Sequence, residues 1–394
     1  MPRYPIARLR PERRKSVLAG HPWIFSGALL ERPDVPDGAL VSLACGEEIM
    51  GTGYYNSRTD IAVRLLSRQD ESIDAGFFAR RFARLREERA GYITPDTTAW
   101  RAVFGEADGC PGLVVDHYAG NLVMQLHTAG MDRLRSEVLE ALVQVHAPSS
   151  VIERSDLAVR KQEGLADQPV GVLHGHGDGA VEFREHGHLF FADMLKGQKT
   201  GFFLDQRENR LSVKQWAKGR SLLNVFCYTG GFSVYAAAGG AKRVASLDAS
   251  APAMATCRRN MEANGFAFGD GDYRVEDAFE ALSSLKDGEF DAILLDPPSM
   301  AKNRSQLKNA IKAYTGLNTR ALKALPQGGL LISASCTSHV DPLTFQKILH
   351  ESGVRAGCSL KMLEWRGQPP DHPYRFSFPE GGYLKFVVAQ KAHI

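Results

Sequence analysis

The sequence has no long apolar run. No stretch of its 394 residues approaches the ~18 consecutive apolar residues that a membrane-spanning helix needs. Residues 1–8 contain two prolines and two arginines and lack the hydrophobic segment of a secretory signal peptide. We therefore expect a cytoplasmic protein that does not act at a membrane.

Closely spaced cysteine pairs are also absent. The six cysteines are scattered and form no Cys-x-x-Cys motif, which argues against both a disulfide framework and a zinc site. Residues 174–179 hold two histidines between glycines, a pattern more typical of a turn than of a metal site. We therefore predict no bound metal and a reducing environment.

The chain has little excess charge of either sign, because 48 Lys and Arg oppose 45 Asp and Glu and leave a net charge of +3. That value alone does not indicate a nucleic-acid partner. Basic residues nevertheless cluster near the start, followed by a histidine and a tryptophan: Arg8, Arg10, Arg13, Arg14, Lys15, His21 and Trp23. This combination suits a surface that holds phosphates and stacks bases, but a solvated turn beside a core tryptophan explains it equally well.

Length and patterning predict two or three domains in an α/β protein. Short strands broken by Gly, Pro and Asp predict a β-rich unit over the first ~70 residues. Residues 71–92 are expected to form a helix with its phenylalanines on one face, and strands dominate from about 98 to 192 around a helix near 131–145.

From about residue 200 strands and helices alternate, which predicts a parallel sheet with helical crossovers. The predicted strands are 222–226, 243–248, 273–276, 290–295, 329–335, 359–365 and 383–390. The helix after Asp248 is marked by Ser250 as N-cap, Pro252 in its first turn and Gly265 beyond its end. The last two strands lack a clear intervening helix and are expected to pair antiparallel.

Three strand ends in this region suggest a nucleoside cofactor. Gly230 and Gly231 follow the first strand and permit close backbone approach, although the turn is not Gly-x-Gly-x-x-Gly and does not favour a pyrophosphate. Asp248 ends the second strand, where a carboxylate can bind ribose hydroxyls, and Asp277 follows the third, where one can accept from an adenine amino group. Either acid taken alone is more often a helix N-cap, but the three strand-end features together favour a nucleoside cofactor.

Two further strand ends carry groups suited to catalysis. Asp296 ends one strand in Asp-Pro-Pro, and Cys336 follows another. Ligands bind beyond the carboxyl ends of strands in an open α/β sheet, so the nucleophile and the carboxylate converge on one site. The alternatives are that Cys336 is a buried small hydrophobe and that Asp296 caps the next helix.

The motifs Asn-Val-Phe-Cys-Tyr-Thr-Gly-Gly-Phe-Ser, Ser-Leu-Asp-Ala-Ser and Leu-Leu-Asp-Pro-Pro-Ser resemble those of class I S-adenosylmethionine-dependent RNA methyltransferases. Gly-Gln-Lys-Thr-Gly-Phe-Phe-Leu-Asp-Gln-Arg, from residue 197, resembles the large-subunit ribosomal RNA cytosine-5 methyltransferase I family. Gly-His-Pro-Trp-Ile-Phe-Ser-Gly and Phe-Pro-Glu-Gly-Gly-Tyr-Leu-Lys extend the resemblance to both ends of the chain.

The resemblance implies a PUA-like RNA-binding domain over 1–72, a small central α/β domain over 73–192, and a Rossmann-like, seven-stranded class I methyltransferase domain over 193–394. It implies S-adenosylmethionine as cofactor and the large-subunit ribosomal RNA, or its assembly intermediate, as partner, with monomer and homodimer both open. The implied cofactor-binding residues are Phe202, Asp205, Gln206, Tyr228, Thr229, Gly230, Gly231, Asp248, Asp277 and Asp296. The implied RNA-binding residues are Arg10, Arg13, Arg14, Lys15, His21 and Trp23.

The resemblance further implies formation of 5-methylcytosine at the family's target, cytosine 1962 of 23S ribosomal RNA, with Cys336 and Asp296 as catalytic residues. Addition of the Cys336 thiolate to C6 activates C5, and an unpaired or flipped base is required. Ser299 stands where many other RNA cytosine-5 methyltransferases carry a second cysteine, so the group that removes the C5 proton is not identified. His339 and the turn at 370–373 are weaker candidates for proton handling.

Two other functions remain open at this point. A guanine-modifying ribosomal RNA methyltransferase of the same fold also uses Asp-Pro-Pro but needs no cysteine nucleophile. A non-catalytic ribosome-assembly factor would retain RNA binding after its cofactor site had decayed. Cys336 favours cytosine over guanine, and the intact glycine turn and strand-end acids favour an enzyme.

Overall fold

The computed structural model describes residues 2–301 and 303–393, which fall into two compact units. Unit 1 runs up to Gly187 and also contains Ala192–Leu204 and Pro370–Gly381. Unit 2 contains His188–Phe191, Asp205–Pro369 and the segment from Gly382 onward. The division into three domains, with boundaries after residues 72 and 192, stays a prediction.

Nineteen strands and eleven α-helices are found in the described residues. The strands are β1 (Ile6–Arg8), β2 (Trp23–Phe25), β3 (Leu40–Cys45), β4 (Glu48–Tyr55), β5 (Ile61–Ser67), β6 (Ala99–Phe104), β7 (Leu113–Tyr118), β8 (Asn121–Leu126), β9 (Ser150–Glu153), β10 (Gly171–Gly175), β11 (Ala180–Glu185), β12 (His188–Asp193), β13 (Ser221–Val225), β14 (Arg243–Asp248), β15 (Tyr273–Val275), β16 (Ala292–Leu295), β17 (Leu330–Ser335), β18 (Ser359–Arg366) and β19 (Lys385–Ala392). The helices are α1 (Arg14–Leu18), α2 (Ala75–Ala90), α3 (Ala129–Arg133), α4 (Arg135–His146), α5 (Val159–Gln162), α6 (Arg207–Trp216), α7 (Gly231–Ala238), α8 (Ala251–Ala263), α9 (Ala278–Ser284), α10 (Leu307–Ala324) and α11 (Pro342–Ala356).

Unit 1 contains two five-stranded sheets, each with its own apolar core. The first has the order β1-β3-β4-β5-β2, as the strand-rich start of the sequence predicts. The second has the order β10-β9-β8-β7-β6 and packs against α2 and α4. Helix α2 begins after Asp74, whose carboxylate accepts a 2.8 Å hydrogen bond from the Phe77 backbone N–H. Its predicted apolar face is buried: Phe77, Phe78, Phe82 and Leu85.

Unit 2 is built on a seven-stranded sheet with the order β15-β14-β13-β16-β17-β19-β18. Its first five strands are parallel. The last two, β18 and β19, pair antiparallel, as predicted, and β19 also pairs antiparallel with β17. The central strands are almost wholly apolar because both faces of the sheet are covered. The carboxyl ends of the parallel strands therefore share one edge, where an α/β sheet places its ligands.

The helix after Asp248 has the predicted caps. Ser250 accepts a 3.3 Å hydrogen bond from the Ala253 N–H, Pro252 lies in the first turn of α8, and Gly265 follows its end with a positive φ of 79°. This cap fixes where the chain leaves β14 and therefore where Asp248 lies at the sheet edge. Among the described residues, no helix is long and apolar enough to cross a membrane.

Candidate active site

The turn after β13 has a strained backbone and requires glycine at position 230. Phe226, Tyr228 and Gly230 all have positive φ, at 61°, 49° and 78°. A Cβ added to Gly230 would lie 2.3 Å from Sγ of Cys257 on α8. Glycine is therefore required at this position both by the backbone conformation and by the close approach of α8.

Thr229 presents a polar atom within this turn. Its side chain is buried, and within residues 2–301 and 303–393 its hydroxyl has no hydrogen-bond partner. Buried polar groups are ordinarily satisfied, so an unmatched one at a strand-end turn suits a site that binds a polar ligand. The amino and carboxylate groups at the methionine end of S-adenosylmethionine are of that kind, and the turn fits the predicted cofactor.

Asp248 ties the glycine turn to the next strand. Its carboxylate accepts 2.9 Å hydrogen bonds from the backbone N–H groups of Tyr228 and Ser250. The residue is half-buried at the end of β14, next to β13. An acid held by two backbone donors keeps a fixed orientation, and its remaining lone pairs suit the ribose hydroxyls expected there.

Asp277 is an exposed helix cap. Its Oδ1 accepts hydrogen bonds from the N–H groups of Phe279, at 2.8 Å, and Glu280, at 3.1 Å, at the start of α9. The capping interpretation that the sequence left open is thus what the structure shows. The adenine-binding role stays a prediction for Asp277.

Asp296 is held from the side by a buried glutamine. Nε2 of Gln206 lies 3.1 Å from both carboxylate oxygens of Asp296, and Nδ2 of Asn209 donates a 2.6 Å hydrogen bond to Oε1 of Gln206. Among the described residues after Asp296, the first helical ones begin at Arg304 and are capped by Asn303, so Asp296 does not cap the following helix. The capping alternative is therefore wrong, and the carboxylate is oriented by a side chain 90 residues earlier in the chain.

Asp205 and Phe202, the other two cofactor candidates in the motif that starts at residue 197, have different surroundings. The hydroxyl of Tyr383 donates a 2.7 Å hydrogen bond to Oδ2 of the buried Asp205. Phe202 belongs to unit 1, where its ring packs edge-on against Phe183 and its N–H donates to the hydroxyl of Tyr118. A cofactor contact for Phe202 stays a prediction.

Cys336 directly follows β17 and is half-buried. Strand β17 lies next to β16, with Ser333 paired to Leu295, so Cys336 and Asp296 leave the sheet at the same edge on neighbouring strands. Thr337 fixes the loop, because its Oγ1 is 2.9 Å from the Tyr314 hydroxyl and accepts a 3.1 Å hydrogen bond from the Met300 N–H. The two loops that carry Cys336 and Asp296 are therefore joined beyond the strands.

A buried lysine lies beneath the cysteine loop. Nζ of Lys385 donates hydrogen bonds to the carbonyls of Thr337, at 2.8 Å, and Tyr383, at 2.7 Å. Burial lowers the pKa of Lys385 to about 8, and the charges of Cys336 and Asp341 act in the opposite direction. Burial raises the pKa of Tyr314 to about 12, so its hydroxyl stays protonated at neutral pH.

Sequence reasoning missed Lys385, Tyr314 and Tyr383. The one signal for Lys385 was its position at the start of an apolar strand, Lys-Phe-Val-Val-Ala, where a charged side chain must find partners. The two histidines considered for proton handling have different surroundings. His339 is exposed, whereas His372 is fully buried in unit 1, with Nδ1 3.2 Å from Oδ1 of Asp371 and its ring against Phe104.

The predicted RNA-binding residues of unit 1 differ in their availability. Nε of Arg10 donates to the carbonyl of Leu29 at 3.1 Å, and Arg14 makes a bidentate pair with Glu48. Arg13 and Lys15 are exposed. The aromatic pair is partly covered: Trp23 Nε1 donates to Glu106 at 2.9 Å, and both Trp23 and His21 pack edge-on against Phe378.

Two family models match the chain. The model of an S-adenosylmethionine-dependent methyltransferase covers residues 112–382, and that of a PUA-like domain covers residues 7–68. The chain is also 38% identical, over 392 residues, to the ribosomal RNA large subunit methyltransferase I of Shewanella frigidimarina; the match covers 97% of this chain and 98% of that protein.

Solved structures agree on the fold. A chain described as an S-adenosylmethionine-dependent methyltransferase from Streptococcus mutans matches with a TM-score of 0.83 at 22% identity, covering 98% of this chain and 99% of the other. SMU.776, in complex with SAH, matches with a TM-score of 0.84 at 24% identity and the same coverage. The predicted fold class, with its methyltransferase sheet and PUA-like first domain, is confirmed, and so is the predicted cofactor.

Proposed function

Because this chain belongs to the ribosomal RNA large subunit methyltransferase I family of S-adenosylmethionine-dependent enzymes, we propose that it methylates C5 of a cytosine in 23S ribosomal RNA. The proposed target is the family's cytosine 1962, in free RNA or in a large-subunit assembly intermediate. The proposed location is the cytoplasm. Monomer and homodimer are equally compatible with this activity.

The placement of Cys336 and Asp296 is the observation that carries this proposal. Both follow neighbouring strands at the ligand-binding edge of the sheet, and Gln206 orients the Asp296 carboxylate. A guanine-modifying enzyme of the same fold has no need for the thiol. The cysteine therefore supports a pyrimidine target, since a thiolate adds readily to an electrophilic ring carbon.

The proposed cofactor site is built from the strand ends. The turn at Tyr228, Thr229, Gly230 and Gly231 would hold the methionine end, Asp248 the ribose and Asp277 the adenine. Phe202, Asp205, Gln206 and Asp296 would border the site. When bound, S-adenosylmethionine supplies an electrophilic methyl group on a sulfonium.

In the proposed reaction the Cys336 thiolate forms a bond to C6 of cytosine, and the C5–C6 π electrons move so that C5 becomes nucleophilic. Asp296 would hold the N3/N4 edge of the base while C5 bonds to the methyl carbon, the bond between that carbon and the sulfonium sulfur breaks, and S-adenosylhomocysteine leaves. A base then takes the C5 proton, the C5–C6 double bond re-forms, and the S–C6 bond breaks to release the thiolate. The ammonium of Lys385 favours the ionised thiol, because a nearby cation stabilises the thiolate.

The test uses RNA that contains 5-fluorocytosine at the target. Fluorine cannot leave C5 as a proton does, so the wild-type enzyme should remain covalently attached to this RNA after methyl transfer. Cys336→Ala should form no adduct and lose methyl transfer, while its affinity for S-adenosylmethionine stays within about twofold, since the thiol does not serve the cofactor. Cys45→Ala, at a half-buried cysteine of unit 1, is the matched control.

Substantial turnover by Cys336→Ala would remove the covalent mechanism. Mass spectrometry of 23S ribosomal RNA fragments from cells with and without the protein then locates the methyl group. Methylation on a guanine would replace the proposal by the guanine-modifying alternative. If the RNA carries the same methyl groups with and without the protein, so that only RNA binding is lost with it, the assembly factor would be favoured.

A further inference from the structure

Unit 1 contains a polar pocket lined by arginines that the catalytic proposal does not use. The cavity has a volume of about 280 Å³, and four of its lining residues are Arg68, Arg81, Arg84 and Arg375. Ligand pockets for drug-sized molecules measure about 300–1,000 Å³. This pocket therefore suits a smaller group, such as a phosphate with part of its sugar.

Three of the arginines are held in place by neutral acceptors. Nη1 of Arg81 donates to the carbonyls of Leu66 and Gly109, Nη1 of Arg68 to that of Val17, and Nε of Arg375 to that of Ala107, at 2.7 Å. Backbone carbonyls orient a guanidinium without cancelling its charge. Each guanidinium carries five N–H donors, and these bonds occupy one nitrogen of each group.

The acids at the pocket are committed to other partners. Asp108 is buried and accepts hydrogen bonds from Arg89 and from the Phe104 N–H, and Glu106 accepts from Trp23 Nε1. Arg84 lies 3.4 Å from Glu88, but both side chains are more than half exposed, so this pair is weak. Burial lowers the pKa of Arg68, and the positive charge of Arg375 lowers it further.

Two exposed aromatic residues belong to the segments that line the pocket. Phe376 lies between the lining residues Arg375 and Ser377 in the chain and is 100% exposed, and Phe25, 47% exposed, packs on His21, which lies between the lining residues Gly20 and Pro22. Two residues of the pocket wall, Gly20 and Ser377, lie close together: Gly20 has a φ of 105°, and an added Cβ there would be 3.0 Å from the Ser377 side chain. Fixed guanidinium forks beside exposed rings match a nucleic-acid strand better than a free anion, since phosphates pair with the forks and bases stack on rings.

We propose that this pocket binds a backbone phosphate of the RNA substrate, as an anchor in unit 1 separate from the catalytic edge of unit 2. The proposal rests on the proposed function for the identity of the RNA. The planar guanidinium fork favours bidentate phosphate contacts, and three arginines fixed by backbone carbonyls are already oriented before the RNA arrives. The pocket would thereby help to set where the RNA strand lies along unit 1.

The test compares two double variants of the full-length protein. Arg84→Gln with Arg375→Gln removes two charges from the pocket. Arg86→Gln with Arg133→Gln removes two charges from exposed arginines of the same unit; these two donate to the carbonyls of Val145 and Asp37, both at 2.7 Å, as Arg375 does to that of Ala107. Binding of a single-stranded ribosomal RNA fragment is measured by fluorescence anisotropy over a series of salt concentrations, with thermal melting to check folding.

We expect the pocket variant to bind RNA roughly tenfold more weakly and to lower the log–log salt slope by about 0.7, the value for one lost phosphate contact. The control pair should lose less than about threefold and leave the slope unchanged. Arg84→Lys with Arg375→Lys keeps the charges but loses the forks, so it should retain the slope while binding less tightly than wild type.

Equal losses in the pocket and control pairs would overturn the proposal, because only the total charge would then matter. A second outcome would also overturn the proposal. If inorganic phosphate protects the wild-type pocket from modification by phenylglyoxal, which reacts with arginine, but the variants bind RNA as tightly as wild type, the pocket is a free-anion site. The proposed function is judged separately by methyl transfer from the wild-type enzyme. If the wild-type enzyme transfers no methyl group but the pocket variant binds RNA more weakly than the control variant, the phosphate anchor would stand and would serve a different RNA reaction.

Discussion

Lys385 donates a 2.8 Å hydrogen bond to the carbonyl of Thr337, the residue directly after Cys336. The antiparallel register pairs Lys385 with Ser335, so the lysine side chain reaches the loop from the neighbouring strand. One side chain thus positions the cysteine loop and places a positive charge near the thiol. Its pKa of about 8 means that this charge is present at neutral pH and is lost as pH rises through that value.

Replacing Lys385 by methionine should make Cys336 harder to ionise. The ammonium favours the thiolate, so its removal should move the midpoint of Cys336 alkylation by iodoacetamide to higher pH. Mass spectrometry of the peptide that contains Cys336 measures this directly as a function of pH. Lys391→Met is the matched control, because Lys391 is a buried lysine on the same strand whose Nζ donates to the carbonyl of Leu325.

The sign of the pH dependence distinguishes charge from packing. In the wild type the lysine charge aids the thiol below about pH 8, so the difference in alkylation rate between wild type and Lys385→Met should shrink as pH rises through that value. A rate difference that stays constant up to pH 10 would assign Lys385 a purely structural role.

Asp248→Ala should weaken the binding of S-adenosylmethionine. Loss of hydrogen bonds to a charged acceptor costs ~1.5–3 kcal/mol, which corresponds to roughly ten- to a hundredfold in affinity. Isothermal titration calorimetry measures the change, and Asp74→Ala provides the comparison, since Asp74 is a helix-capping aspartate of α2 in unit 1, away from the proposed cofactor residues of unit 2. If Asp248→Ala binds the cofactor as tightly as wild type, the end of β14 is not part of the cofactor site.

The strands of unit 2 were predictable because buried parallel strands are continuous apolar runs, so their ends were placed within about two residues. That precision sufficed to bring Asp296 and Cys336 to one edge. The groups that hold these residues were not predictable, because Gln206 reaches Asp296 across 90 residues of chain and Lys385 reaches Thr337, next to Cys336, across 48. Asp277 shows another limit, since a strand-end acid and a helix cap look identical in sequence.

Gly230→Ala should destabilise the protein strongly. A Cβ at this position would meet Cys257 Sγ at 2.3 Å in a left-handed conformation, so overpacking and backbone strain together should cost about 2–5 kcal/mol of the free energy of unfolding. Chemical denaturation measures this loss. Adding Cys257→Ala removes the atom closest to the new Cβ and should recover part of the lost free energy of unfolding. If the effects of the two substitutions simply add, the contact between this Cβ and the Cys257 Sγ contributes nothing.

The basic cluster at the start of the chain gives a final prediction about RNA affinity. Replacing Arg10, Arg13 and Arg14 by alanine should weaken RNA binding and lower the log–log salt slope by roughly one to two units, since each single-stranded phosphate contact contributes about 0.7. Cofactor affinity should not change, because the strand ends assigned to that site lie in unit 2.

The structure adds an order among the three arginines. Arg14 is already engaged bidentately by Glu48 and Arg10 by the carbonyl of Leu29, whereas Arg13 is exposed. Arg13→Ala alone should therefore account for more of the lost slope than Arg14→Ala, because Arg14 must first give up its carboxylate partner to meet a phosphate. An unchanged slope in the triple variant would make this cluster a solvated face, and RNA binding would then depend on other parts of the protein.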